Sequence, residues 1–127
     1  MILVIDDEEL IRESIQDILD MTGIQTLCAA DGHAGIELFK AERSAIRAIL
    51  LDMLMPVMSG TETLRQIREL DPHIPVILSS GYNERETRSQ LGNHQDVIFL
   101  QKPYPIDTLI GKVRQAIELQ HKILPHA

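Results

Sequence analysis

Five short apolar runs recur along the chain: Ile2–Ile5, Thr26–Ala30, Ala48–Leu51, Val76–Leu78 and Val97–Leu100. Each is nearly continuous in hydrophobicity instead of alternating, which is the pattern of strands covered on both faces. The segments between them carry apolar residues at helical spacing. Leu10, Ile11, Ile15, Ile18 and Leu19 form the first set, which stops at Gly23, a natural residue just past a helix end. Ala34, Leu38 and Phe39 form the second, and Leu64, Ile67 and Leu70 the third, closed by Asp71-Pro72. The last set runs from Pro105 through Ile106, Leu109, Ile110, Val113 and Ile117. Strand and helix alternate five times, which predicts an α/β fold with a parallel sheet and helices on both faces.

The fourth helical segment differs from the others. From Asn83 to Gln95 the chain reads NERETRSQLGNHQ, with Leu91 as its sole large apolar residue. A helix there would bury little, and most helical stability in proteins comes from packing an apolar face. Two readings stay open on this ground: a long polar loop, or an element of low local stability of the kind from which switches are drawn.

Composition narrows the classes. A length of 127 residues suits one domain with a real core. Aromatic residues make up only 3 % and Trp is absent, so the core is built from Ile, Leu, Val, Met and Ala. The formal charge of −7 argues against a nucleic-acid surface, which needs a net basic face. A single cysteine, Cys28, allows no intrachain disulfide, and the five histidines show no metal-ligand spacing. No apolar stretch approaches membrane-spanning length and no signal-peptide pattern is present, so a cytoplasmic location without direct membrane contact is expected.

The candidate chemistry lies at the strand ends. Ligands of open parallel sheets bind outside the carboxyl ends of the strands. Strand one ends in Asp6-Asp7, strand three in Asp52, strand four in Ser79-Ser80-Gly81 and strand five in Lys102-Pro103, while Ala30-Asp31-Gly32 after strand two offers mainly a turn. Asp7 has a plain alternative role as an acid capping the following helix. Asp6 beside it is harder to dismiss, since two adjacent acids facing Asp52 require a cation. Magnesium suits them, because it prefers hard oxygens and keeps positions for water and phosphate. Asp52 can act as a nucleophile toward phosphorus, giving an acyl phosphate. Lys102 supplies a cation for the developing charge, and Ser80 or Ser79 a neutral donor; chemistry alone does not choose between the two serines. Gly81 leaves room for a tetrahedral group to approach the backbone.

With these residues in place, the chain resembles the receiver domains of two-component response regulators over residues 1–121, leaving 122–127 as a tail. ILVIDDE resembles the family's first strand and acidic pair, LLDMLMPVMSG its phosphorylation motif, PVILSSG its fourth strand and FLQKP its Lys-Pro pair. The resemblance implies a doubly wound (βα)5, flavodoxin-like fold with strand order 2-1-3-4-5. It implies that Asp52 accepts a phosphoryl group from a histidine kinase or a histidine phosphotransfer domain. Asp7 and Asp52 would ligate magnesium directly, Asp6 through water, and the backbone carbonyl of Leu54 would complete the site. Ser80 becomes the switch hydroxyl, Gly81 the small residue after it and Phe99 the switch aromatic, three residues before Lys102. Met55-Pro56 and Gly60 would shape the loop after Asp52. Phosphorylation would draw Ser80 inward and remodel the surface of the fourth helix, fifth strand and fifth helix, through which the domain could also dimerise. The segment 83–95 lies on that surface, which favours the switch reading. Leu54 and Tyr82 stand where the family tunes water access to the phosphoryl group, which implies slow self-hydrolysis.

The chain departs from the family at Gly92-Asn93-His94-Gln95, where Gly-Ala is frequent, and at Tyr104, where Phe is more usual. Neither departure touches the acceptor chemistry, and both bear on how the output surface is built. A phosphohydrolase with an aspartyl nucleophile would carry a second acid two residues on, where this chain has Leu54, and would need a cap. A flavodoxin-like carrier would meet repulsion between Asp6-Asp7 and a flavin phosphate. The absence of a P-loop argues against a kinase. The domain is therefore expected to be no enzyme in itself. As parent, a stand-alone receiver, a piece of a transcription factor or the receiver of a hybrid histidine kinase is expected. The LSSGY segment and Tyr104 favour the hybrid kinase, which could be membrane-bound.

Overall fold

A computed structural model describes residues 1–123. Its elements are β1 (Ile2–Ile5), α1 (Glu9–Met21), β2 (Thr26–Ala29), α2 (Gly32–Ala41), a 3-10 turn (Arg43–Ala45), β3 (Ala48–Asp52), α3 (Gly60–Leu70), β4 (Val76–Ser80), α4 (Glu84–Ser89), β5 (Ile98–Gln101) and α5 (Ile106–Ile123). The five strands form one sheet in the order β2-β1-β3-β4-β5, and every pairing is parallel. The order implied by the resemblance is the order observed.

Strand alternation explains why the apolar runs are continuous. Along β1, Ile2 and Val4 join a cluster with Ile15, Leu19, Leu109 and Val113, under α1 and α5. Leu3 and Ile5 join the opposite cluster with Ile36, Phe39, Leu64 and Ile67, under α2 and α3. Strand β3 divides in the same way, Ala48 and Leu50 to the first side, Ile49 and Leu51 to the second. Successive side chains of a strand point to opposite faces, so a strand between two helical layers needs apolar residues at every position.

Helix α1 ends as its glycine foretells. Gly23 has φ +78, its N–H donates to the Asp20 carbonyl at 3.0 Å, and Ile24 N–H donates to the Leu19 carbonyl at 2.9 Å. This is a Schellman closure, which satisfies carbonyls that the helix end would leave unpaired. Helix α5 runs two residues beyond the boundary expected at 121, and residues 124–127 of the expected tail lie outside the described residues.

The polar segment forms only a six-residue helix, α4, held by polar contacts in place of an apolar face. Asn83 caps it by accepting from Glu86 N–H at 2.8 Å. Arg88 donates to the carbonyls of Gln95 at 2.8 Å and Val97 at 3.2 Å, tying the helix to the turn before β5. Thr87 within the helix and Leu91 beyond its end are the buried side chains of the segment.

Candidate functional site

The strands reach further than their apolar runs. Ladder pairing carries β3 through Asp52 and β4 through Ser80, with Asp52 opposite Ser79 in register. Asp52 is thus the last residue of a central strand, fixed at its base by the sheet and only 5 % exposed. Met53 N–H donates to the Ser79 carbonyl at 2.9 Å, which continues the tie into the loop.

That loop is held down by Gly60. A Cβ at Gly60 would lie 2.5 Å from the Asp52 carbonyl oxygen and 2.6 Å from Met53 Cα, so only glycine allows α3 to start against the end of β3. Gly60 N–H also donates to the Met53 carbonyl at 2.9 Å. Between the two ends, Val57 adopts φ +69, a left-handed conformation that a β-branched residue holds only under constraint.

Strand β1 brings two further acids. Carboxylate oxygens of Asp6, Asp7 and Asp52 all lie within 4.8 Å of one another. Asp6 is buried, and its Oδ1 accepts from Glu8 N–H at 2.9 Å, while its backbone carbonyl accepts from Arg12 at 2.8 Å. Helix α1 has Glu8 at its N-cap with no side-chain cap bond, so Asp7 is not spent on capping. Asp31 does that work at α2, accepting from Ala34 N–H at 2.8 Å.

Lys102 arrives from the end of β5, with its backbone N–H donating to the Ser80 carbonyl at 2.7 Å and a cis bond to Pro103. Its Nζ stands 3.1 Å from Asp52 Oδ1 and 3.4 Å from Asp6 Oδ2. Burial pulls the Lys102 ammonium down, but Asp52 and Asp6 together outweigh it and hold its pKa above the usual lysine value. Burial pushes the Asp52 carboxyl up from 3.8 to about 6, with Asp6 and Asp7 adding to the rise and Lys102 opposing it. One cation among three acids leaves an excess of negative charge. The donor set is oxygen only, with no His or Cys, which fits a hard divalent cation such as magnesium.

Ser80 is buried at the end of β4, but its hydroxyl is turned to α4. It accepts from Tyr82 N–H at 3.1 Å and from the Thr87 hydroxyl at 2.9 Å. Phe99 pairs in register with Leu78, so it projects to the same sheet face as Ser80 and is half-buried there. Leu54, in the loop after Asp52, is 59 % exposed and Tyr82, after Gly81, 45 %. The structure therefore gathers Asp6, Asp7, Asp52 and Lys102 and places Ser80 and Phe99 on the side of α4. Thr87 escaped the sequence reading, since a threonine within a polar run carries no hydrophobic signal; its spacing of seven from Ser80 was the sole hint.

Beside this cluster runs an apolar groove of about 690 Å³ between α1 and the β5–α5 loop. Leu10, Ile11, Ile18 and Tyr104 line it, and Lys102 and Pro103 form its end nearest the acids. Leu10 is 77 % exposed within it.

Comparisons with known proteins agree with this geometry. The response regulator receiver domain family matches residues 2–114. The C4-dicarboxylate transport transcriptional regulatory protein DctD of Pseudomonas aeruginosa is 32 % identical over 97 % of the chain, which spans only 26 % of that protein. The autoinducer 1 sensor kinase/phosphatase LuxN of Vibrio campbellii is 38 % identical over 67 % of the chain, which spans 10 % of it. Among solved structures, a response regulator receiver domain protein of Clostridium thermocellum superposes with a TM-score of 0.88 at 29 % identity, covering 97 % of this chain and 98 % of that one. The chain thus spans about a quarter or less of the first two of these proteins, and among its described residues no helix is long and apolar enough to cross a membrane. A parallel sheet in the order 2-1-3-4-5, an acid cluster at its carboxyl edge and a family match over nearly the whole length lead to one conclusion: this chain belongs to the response regulator receiver domains of two-component signalling.

Proposed function

We propose that Asp52 accepts a phosphoryl group from a phosphohistidine of a histidine kinase or histidine phosphotransfer domain. The observation that carries this reading is the buried Asp52 carboxylate, fixed at a strand end between two further acids and 3.1 Å from Lys102. An Asp52 carboxylate oxygen attacks phosphorus, the P–N bond to the donor imidazole breaks, and the imidazole leaves with the electron pair and takes up a proton. Lys102 neutralises charge on the transferring group, and Ser80 donates to one of its oxygens once it turns inward. Asp7, Asp52 and the Leu54 carbonyl would hold magnesium directly and Asp6 through water; bound there, the ion would offset the acidic excess and favour ionised Asp52. Asp52→Ala should abolish labelling by a phosphohistidine donor, and chelation should suppress labelling of the wild type; undiminished labelling of the variant would refute the assignment.

The apolar groove beside Lys102 gives the donor protein a seat next to the reacting atoms, and Leu10 is its most accessible apolar contact. Release of Ser80 and Phe99 toward the site then alters the surface of α4, β5 and α5, which serves output or pairing with a second receiver. Leu54 and Tyr82 shield the phosphoryl group from water and make its loss slow. The receiver unit is taken as residues 1–121. Its LSSGY segment and Tyr104, with the likeness to LuxN, favour a hybrid kinase as the parent, a cytoplasmic domain of a transferase that could itself be membrane-bound. Whether other domains flank this unit, and which, decides among that, a transcriptional regulator such as DctD and a stand-alone receiver.

A further inference from the structure

Helix α4 places one side chain fully inside the protein in an otherwise polar segment. Thr87 is 0 % exposed, whereas its neighbours Glu84, Arg85, Glu86 and Ser89 are exposed. Its hydroxyl is spent on Ser80, 2.9 Å away. Ser80 Oγ already accepts from Tyr82 N–H at 3.1 Å, so two donors occupy both of its lone pairs. The hydroxyl is thereby pinned toward α4, and among the described residues its hydrogen-bond partners do not include Asp52.

Ser80 can reach an oxygen on Asp52 only by leaving Thr87. The Thr87 hydroxyl would then be stranded in the interior, where an unpaired polar group is costly. It regains a partner only if α4 moves or opens. Apolar contacts do not resist that movement strongly, because Leu91 is the segment's one buried large apolar residue.

We propose that Thr87 is a positioning residue that acts through Ser80: its hydroxyl latches the switch serine in the unphosphorylated arrangement and forces α4 to respond when the serine departs. The proposal rests on Asp52 being the acceptor. It assigns Thr87 a function in the phosphorylation reaction and in its coupling to the output surface, beyond filling space.

The test compares the full chain carrying Thr87→Val, which keeps the shape and removes the hydroxyl, with Thr87→Ser, which keeps the hydroxyl. Loss of a single neutral hydrogen bond from the resting arrangement should speed labelling by acetyl phosphate with magnesium roughly two- to tenfold in the Val variant. The Ser variant should restore the wild-type rate, which a packing role would not achieve. Hydrogen exchange over residues 84–97 should rise on phosphorylation in the wild type and be already raised, with little further change, in Thr87→Val. If Thr87→Val proves poorly folded, Thr87→Ala with and without Ser80→Ala supplies the same information. A latch requires the Thr87 change to give no further acceleration of labelling once Ser80 lacks its hydroxyl; acceleration that persists in the Ser80→Ala background would overturn it. Wild-type labelling rate and a wild-type exchange response in Thr87→Val would overturn the latch while leaving the acceptor standing. Equal labelling of Asp52→Ala and wild type would overturn the acceptor, and the latch with it.

Discussion

Replacing Asp52 by Asn removes the charge that the metal-free fold holds at greatest cost. Asp52 is buried, and its carboxyl is pushed from 3.8 to about 6, by burial first and then by Asp6. A raised carboxyl pKa means that the folded protein binds this proton more tightly than the unfolded chain does. The contribution of this group is therefore intact below about pH 4 and is lost as pH rises to about 6. About two pH units at ~1.4 kcal/mol each set a ceiling of ~3 kcal/mol on the loss above that range. Water and counterions at the open rim reduce this, so Asp52→Asn should be more stable than wild type by ~1–2 kcal/mol at pH 8 in chelator. For a domain of this size that corresponds to a rise of roughly 3–10 °C in Tm. Thermal unfolding followed by circular dichroism at pH 8, 6 and 4 measures it. The advantage should shrink toward zero by pH 4, where the wild-type carboxyl is neutral. Saturating magnesium should narrow or reverse it at pH 8, since the wild type offers three carboxylates to the ion and the variant two. An Asn variant no more stable than wild type at pH 8, or an advantage that persists unchanged at pH 4, would refute the idea of a costly buried charge.

Three further outcomes are expected. Lys102→Ala leaves Asp6 and Asp52 without the cation 3.1–3.4 Å away, and should slow phosphotransfer about 10²- to 10³-fold, read as labelling rate with the same donor. Gly60→Ala forces a Cβ to within 2.5 Å of the Asp52 carbonyl and should cost ~1–3 kcal/mol in urea unfolding; a change under ~0.5 kcal/mol contradicts the close approach. If the groove seats the donor protein and not the phosphoryl group, Leu10→Asp should weaken phosphotransfer from a protein donor about tenfold or more and leave labelling by acetyl phosphate at the wild-type rate.

Much of this arrangement is legible in the sequence. The apolar runs marked every strand, because a strand covered on both faces cannot hide its pattern, and their carboxyl ends pointed to Asp6, Asp7, Asp52, Lys102 and one of Ser79 and Ser80, the resemblance alone choosing Ser80. Hydrophobicity did not mark where strands stop. Ladder pairing extends β3 and β4 onto polar residues, so Asp52 and Ser80 belong to the strands themselves. The segment 83–95 was ambiguous for a related reason. Its helix depends on an Asn83 cap, on Arg88 bonding to distant carbonyls and on Thr87 reaching Ser80, and none of these leaves a periodic trace. The direction of the Ser80 hydroxyl was equally out of reach, since it is set by two donors that only the fold brings near.

Mapping the phosphoryl group chemically is the most direct test of Asp52 as acceptor. Borohydride reduces an acyl phosphate of aspartate to homoserine, and peptide sequencing by mass spectrometry then reads the position. After transfer from a phosphohistidine donor with magnesium, homoserine should appear at position 52, and not when magnesium is chelated. Homoserine at position 6 or 7, or a borohydride-resistant phosphate on Ser80, would contradict it.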